Sequence, residues 1–157
     1  MTIFERLRSG VATASAGETR SLAAELAAAL PPDTTLALHG DLGAGKTTFV
    51  QGLAHGLGII EPVTSPTFTI FTLYRKAAPA VRSSLSWSEG GGTLVHLDAY
   101  RLEDPRQMDA LMLDDFLTSP WCLAVEWPEK IAPWLPDDAL HLSLSITGDG
   151  RHAIRLQ

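Results

Sequence analysis

Cysteine, asparagine and lysine are the scarce residues of this chain. A single cysteine, Cys122, excludes an internal disulfide and any metal site built from clustered thiolates. There is no asparagine, and the only lysines are Lys46, Lys76 and Lys130. No apolar run is long enough to span a bilayer, and the opening MTIFERLRSG lacks the apolar centre of a secretion signal. A cytoplasmic protein without membrane association is therefore expected. Basic charge is sparse as well, with 12 Lys and Arg against 18 Asp and Glu, a net charge of −6 and a pI near 5.2. No basic run is longer than Arg75–Lys76. A protein that grips nucleic acid alone usually shows a basic stripe. Any polyanion handled here is expected to be small, or held mainly by a partner.

What is present suits one domain, residues 1–157, with 45% hydrophobic residues to build its core. Residues 15–30 predict a helix with Leu22, Leu26 and Leu30 on one stripe, stopped by Pro31 and Pro32. TTLALH (34–39) predicts a buried strand. From Thr47 the spacing of Phe49, Val50, Leu53, Ala54 and Leu57 is helical, with Gly58 as its stop. VTSPTFTIFTLYR (63–75) predicts a loop and then a strand; the Ser-, Gly- and Ala-rich 77–92 predicts a mobile loop. TLVHLDAY (93–100) predicts a strand. Asp104-Pro105 predicts the start of a helix that places Met108, Leu111, Met112 and Phe116 on one face. WCLAVEW (121–127) is apolar almost throughout, as a strand covered on both faces is. In 140–147 Leu140, Leu142, Leu144 and Ile146 alternate with polar residues, and GDG turns the chain into RHAIRL, which predicts an antiparallel hairpin with one wet face. The expected class is α/β with a sheet of mixed direction.

Gly40 to Thr47, GDLGAGKT, match G-x-x-x-x-G-K-[ST] at every fixed position. Glycines let successive backbone N–H groups curl into a nest around an anion, and the following helix adds the positive end of its dipole. Lys46 is expected at the β- and γ-phosphates and the Thr47 hydroxyl on Mg²⁺. The object gripped is a phosphate chain. A dinucleotide loop is excluded because G-x-G-x-x-G is absent in that order. Guanine sites commonly use Asn-Lys-x-Asp; a chain without asparagine favours ATP or weak base selection.

Two carboxylates stand at expected strand ends, where ligands bind in such sheets. Glu126 closes WCLAVE, which resembles a Walker B strand with Glu in place of Asp, and Asp98 closes TLVHLD. Both are candidates to hold Mg²⁺ with Thr47 and to serve hydrolysis. Thr64, Ser65 and Thr67 offer hydroxyls in a loop restricted by Pro66, as a γ-phosphate-sensing segment would. Arg75 and Arg101 could stabilise transferring charge, although a surface ion pair accounts more simply for Arg75. Trp127 is either core or a lid beside the nucleotide. His96 reads as a hydrogen-bonded structural histidine, and Cys122 as buried and inert.

Four segments in order, GDLGAGKTTF, SPTFTI, HLDAYRL and VEWPEK, resemble the bacterial TsaE family, the ATPase of tRNA threonylcarbamoyladenosine biosynthesis. The resemblance runs from about residue 15 to 135. It implies a P-loop NTPase-like three-layer fold with a mixed, mostly parallel sheet, and an ATP and Mg²⁺ site over Leu42, Gly43, Ala44, Gly45, Lys46, Thr47 and Thr48. It implies that Thr47 and Glu126 are metal ligands, and that Thr67, Asp98 and Trp127 are functional positions. It further implies two partners, TsaB- and TsaD-type subunits that form a threonylcarbamoyl transferase acting on adenosine 37 of tRNA, with ATP hydrolysis supporting turnover. The acidic balance suits that role, because the partners would grip the tRNA. The 77–92 loop and everything after 135 lie outside the motifs, so adenine and ribose contacts stay unassigned. Two other readings stay open on the residues alone. A small-molecule kinase often closes an Arg-rich lid, yet only Arg106 and Lys130 are basic between Glu103 and Asp138. A nucleotide-gated binding module would lack meaningful hydrolysis.

Overall fold

The computed structural model describes residues 1–66, 69–76 and 92–157. The chain opens with helix α1 (Ile3–Ser9), started by a reciprocal cap: the Thr2 hydroxyl accepts from the Glu5 N–H at 3.2 Å while the Glu5 carboxylate accepts from the Thr2 N–H at 2.7 Å. Ile3 and Leu7, one turn apart, are its buried residues. Strand β1 (Val11–Thr13) follows. Helix α2 (Ala16–Ala29) is capped by Ser15, whose hydroxyl accepts from the Glu18 N–H at 3.1 Å. Leu22 and Leu26 face inward as the spacing predicts, and Leu30 is the buried residue at the helix end.

Strand β2 (Thr34–His39) leads through the glycine loop into helix α3 (Lys46–Gly56). Strands β3 (Phe71–Lys76) and β4 (Gly92–Asp98), helix α4 (Gln107–Leu111), and strands β5 (Trp121–Glu126), β6 (Leu140–Ile146) and β7 (His152–Leu156) complete the fold. Short 3₁₀ turns cover Leu113–Asp115 and Pro128–Trp134. The seven strands form one sheet in the order β1-β7-β6-β2-β5-β4-β3. The four inner strands β6, β2, β5 and β4 run parallel, and antiparallel pairs close both edges.

Alternation along the strands sorts the core into two layers. Leu94 on β4 and Cys122 and Ala124 on β5 face α1, α2 and α3, where they join Leu36, Leu38, Phe49, Leu53 and Leu26. Val95, Leu97, Leu123 and Val125 face the opposite side and pack on Met108, Leu113 and Ile131. Burial pushes the Cys122 thiol up to about 12, so it is an inert core group, as expected. The architecture is a three-layer, P-loop NTPase-like α/β fold with a C-terminal antiparallel hairpin. No helix among the described residues is long and apolar enough to cross a membrane.

The structure departs from the sequence reading in three places. The first 14 residues, left unassigned above, supply α1 and the edge strand β1, which pairs with β7. The closing antiparallel hairpin forms as expected, with β6 also pairing parallel to β2, but its inward alternation holds for Leu142 and Leu144 and fails at Ile146, which is 56% exposed. The helix expected from Asp104 is cut short. Asp104 instead caps a turn by accepting from the Arg106 N–H at 2.9 Å, α4 begins after it, and Met112 ends α4 in the left-handed region with φ 51°. Leu113 then goes inward while Met112 is 62% exposed. The 77–92 loop lies outside the described residues up to 91.

Helices α2 and α3 approach closely because Gly52 and Gly56, one turn apart, have no side chain. A Cβ on Gly52 would overlap the Arg20 carbonyl oxygen, and one on Gly56 would lie 2.6 Å from that of Ala24. Glycine in a helix normally costs about 1 kcal/mol relative to alanine, whereas forced overlap in a packed interface costs about 1–3 kcal/mol. Gly52→Ala is therefore expected to lower the melting temperature by several degrees. Gly17→Ala, whose Cβ would meet only the Ser15 hydroxyl at 3.7 Å, should leave it unchanged or raised. Thermal unfolding followed by circular dichroism distinguishes the two.

Candidate functional site

The loop between β2 and α3 is shaped by its glycines. Gly40 lies so close to β6 that any Cβ would overlap the Leu144 carbonyl oxygen, and Gly43 and Gly45 sit at φ 83° and 99°, backbone that side chains rarely adopt. No side chain caps the start of α3. Its first backbone N–H groups have no intrahelical partner and remain available to an anion. The loop is braced from the far end of the chain: the His152 ring on β7 donates Nδ1–H to the Ala44 carbonyl at 2.9 Å.

Beside this loop is a cavity of about 460 Å³ lined by Leu42, Gly43, Gly45, Lys46, Thr47, Thr48, Ser65, Asp98, Tyr100, Glu126 and Trp127. Register explains the meeting of the acids. Asp98 and Glu126 are paired neighbours at the ends of β4 and β5, and Glu126 is also paired with Leu38 of β2 just before the loop. Both acids share strand parity with the residues that face α3, which puts them on that side of the sheet; Asp98 Oδ1 accepts from the Tyr100 N–H at 2.9 Å. The Thr47 hydroxyl donates to Glu126 Oε2 at 3.1 Å. The same oxygen accepts from His96 Nε2–H at 2.5 Å. His96 is fully buried, and its Nδ1 has no hydrogen-bond partner among the described residues.

Lys46 is only 5% exposed; its ammonium donates to the Gly40 carbonyl and lies 3.7 Å from the centre of the Trp127 ring. Burial holds its pKa below the ordinary lysine value, opposed by the carboxylates of Glu126, Glu129, Asp98 and Asp41. Trp127 leaves β5 with φ 57° and packs against the Tyr100 ring, centroids 5.2 Å apart. It is therefore a wall of the cavity and also part of the core layer beneath. Next to the loop, His39 Nε2 and His141 Nδ1 share a hydrogen bond at 2.8 Å. Burial, and then the neighbouring His141, lower the His39 pKa.

The residues fit a nucleotide carried with magnesium. Among the described residues no three His, Cys, Asp or Glu side chains gather closely enough to hold a metal by themselves. The Thr47 hydroxyl and the carboxylates of Asp98 and Glu126 do line the cavity, which is the sparse oxygen set magnesium takes when phosphates supply the remaining ligands. Four carboxylates act on Lys46, so a bare triphosphate would enter an acidic field. The loop amides and a divalent cation would offset that repulsion.

Of the residues singled out from sequence, Leu42, Gly43, Gly45, Lys46, Thr47, Thr48, Asp98, Glu126 and Trp127 line this one cavity, with Ser65 of the hydroxyl-rich loop. Ala44 is buried and takes part through its carbonyl instead. Thr67 lies outside the described residues. Neither Arg75 nor Arg101 lines the cavity. Tyr100 was missed, though an aromatic two positions past a strand-end acid was a readable signal. His152 was missed too, and no local pattern marks it.

The contact of Gly40 with β6 yields a test. Gly40→Ala must push the loop away from Leu144, at about 1–3 kcal/mol. It is expected to lower the melting temperature and to weaken nucleotide binding together, measured by thermal unfolding and calorimetric titration.

Residues 13–154 match the model of the family described as threonylcarbamoyl adenosine biosynthesis protein TsaE. The chain is 38% identical over 142 residues to the tRNA threonylcarbamoyladenosine biosynthesis protein TsaE of Bacillus subtilis, covering 90% of this chain and 80% of that protein. It is 39% identical to the protein of the same name from Streptomyces coelicolor, over 87% and 85% of the two chains. The crystal structure of YdiB from Bacillus subtilis superposes with a TM-score of 0.69 at 34% identity, covering 94% of this chain and 82% of the other. The chain belongs to the TsaE family.

Proposed function

We propose that this chain is an Mg²⁺-dependent ATPase subunit required for threonylcarbamoyladenosine modification of tRNA. One observation carries the reading: a glycine loop with the G-x-x-x-x-G-K-[ST] pattern, its closing threonine and two strand-end acids line one cavity, in a chain whose relatives are named for that biosynthesis. The whole chain acts as one P-loop ATPase domain. In this reading Gly43, Ala44, Gly45, Lys46, Thr47 and Thr48 hold the phosphates and Leu42 and Trp127 flank them. Thr47, Glu126 and Asp98 serve the metal, and Thr67 senses the γ-phosphate. Magnesium, when bound with ATP, neutralises charge that develops on the phosphate oxygens. Lys46 leaves the Gly40 carbonyl for a stronger, charged acceptor.

The partners are TsaB- and TsaD-type subunits, on which hydrolysis supports turnover of the transferase; tRNA is contacted only indirectly. The net charge of −6 supports that division of labour. The absence of asparagine supports ATP over a guanine nucleotide read by an Asn-Lys-x-Asp loop.

Hydrolysis by the isolated chain is expected to be slow and to rise when the partner subunits are added. Full-rate turnover that the partners do not change would count against the proposal. Lys46→Ala is expected to bind nucleotide roughly tenfold or more weakly, the loss of a charged hydrogen bond. Glu126→Ala and Asp98→Ala are expected to keep much of the nucleotide affinity at saturating magnesium and to lose turnover by about 100-fold or more. If both acid variants support tRNA modification normally, the catalytic assignment is wrong and a nucleotide-gated binding module is the better reading.

A further inference from the structure

We infer that His96 is a positioning residue for Glu126, fixing which carboxylate oxygen is presented to the cation of the nucleotide. The inference rests on the functional reading above and concerns a residue to which that reading gives no role.

Three segments meet at Glu126 Oε2. Thr47 of α3 donates to it at 3.1 Å and His96 of β4 donates to it at 2.5 Å. Among the described residues Oε1 accepts no hydrogen bond, while Glu126 lines the cavity. The two donors therefore hold one oxygen of a carboxylate that lines the cavity, and the other has no donor among the described residues. A glutamate has three side-chain torsions, and a carboxylate at the end of a strand without such restraint would sample several orientations. His96 supplies the restraint from a position that cannot drift, because it is fully buried in the sheet layer, two residues before Asp98.

The Nδ1, without a partner among the described residues, argues that the bond is there for the site and not for the fold. A buried polar atom left without a partner costs about 1–3 kcal/mol, and an apolar side chain of similar volume would avoid that cost. The fold accepts the loss at a histidine whose one hydrogen bond goes to the site. With Nδ1 unpartnered, the ring carries its hydrogen on Nε2 and donates it to the carboxylate. Groups that hold metal ligands in place in this way commonly change metal affinity by 10–100-fold when removed.

The test uses the full chain, with ADP as the probe. Its affinity is titrated across magnesium concentrations and again in excess chelator, together with melting temperatures without magnesium. His96→Leu and His96→Asn, the second carrying an amide too short to reach Glu126, are expected to raise the magnesium needed for half-maximal binding by about tenfold or more. Their ADP affinity in chelator should match that of the wild type, and His96→Leu should melt no lower. His96→Gln, whose amide N–H falls where the imidazole Nε2–H lies, should restore the wild-type magnesium requirement. An unchanged requirement in His96→Leu and His96→Asn overturns the inference. So does an equal loss of ADP affinity with and without magnesium in all three variants, which marks a merely structural residue. A wild-type chain that binds ADP no more tightly with magnesium than without overturns the functional reading as well.

Discussion

One oxygen atom ties the working parts of this molecule to its sheet. Glu126 Oε2 accepts from a helix residue that follows the phosphate loop and from a histidine inside the neighbouring strand. That arrangement is possible because β5 lies between β2 and β4 in parallel register, so the strand that launches the loop and the two strands that end in acids finish at the same edge. Shift the register by one residue and both acids turn to the face occupied by Val125 and Leu97. The pairing of the strands is thus as much a part of the site as the side chains are.

The site is built at a cost to stability. It contains a lysine whose charged form burial disfavours, a buried glutamate and a histidine nitrogen without a partner among the described residues. Around it the protein is ordinary: two apolar layers on a seven-stranded sheet, with strand alternation deciding which residue joins which layer. Local concessions of this kind are expected where a chain must hold charge ready for a ligand instead of minimising its own energy.

Much of this could be read from residues close together in the chain. The glycine loop was legible because its chemistry is contained in eight consecutive residues, Gly40 to Thr47, and the flanking strand and helix carry their own periodicity. Glu126 was legible because an acid ending the apolar run WCLAVE has no reason to be there on packing grounds. The parts that could not be read depend on distant partners. The three residues of β1 are a strand only because β7 pairs with them. The role of His152 needs Ala44, 108 residues earlier. His96 was legible as a hydrogen-bonded strand histidine, but its acceptor lies on a different strand. Helix α1 is the exception, since the Thr2 and Glu5 cap was in plain view and only its shortness hid it.

The brace between His152 and Ala44 has a bearing on how the protein is made. A ribosome delivers the loop and α3 early, and nascent domains begin to organise from the N-terminal side. The imidazole that anchors the loop carbonyl, and the β6 backbone against which Gly40 rests, emerge about a hundred residues later. Throughout that interval the loop lacks both supports. The brace can form only once the last strand has joined the sheet.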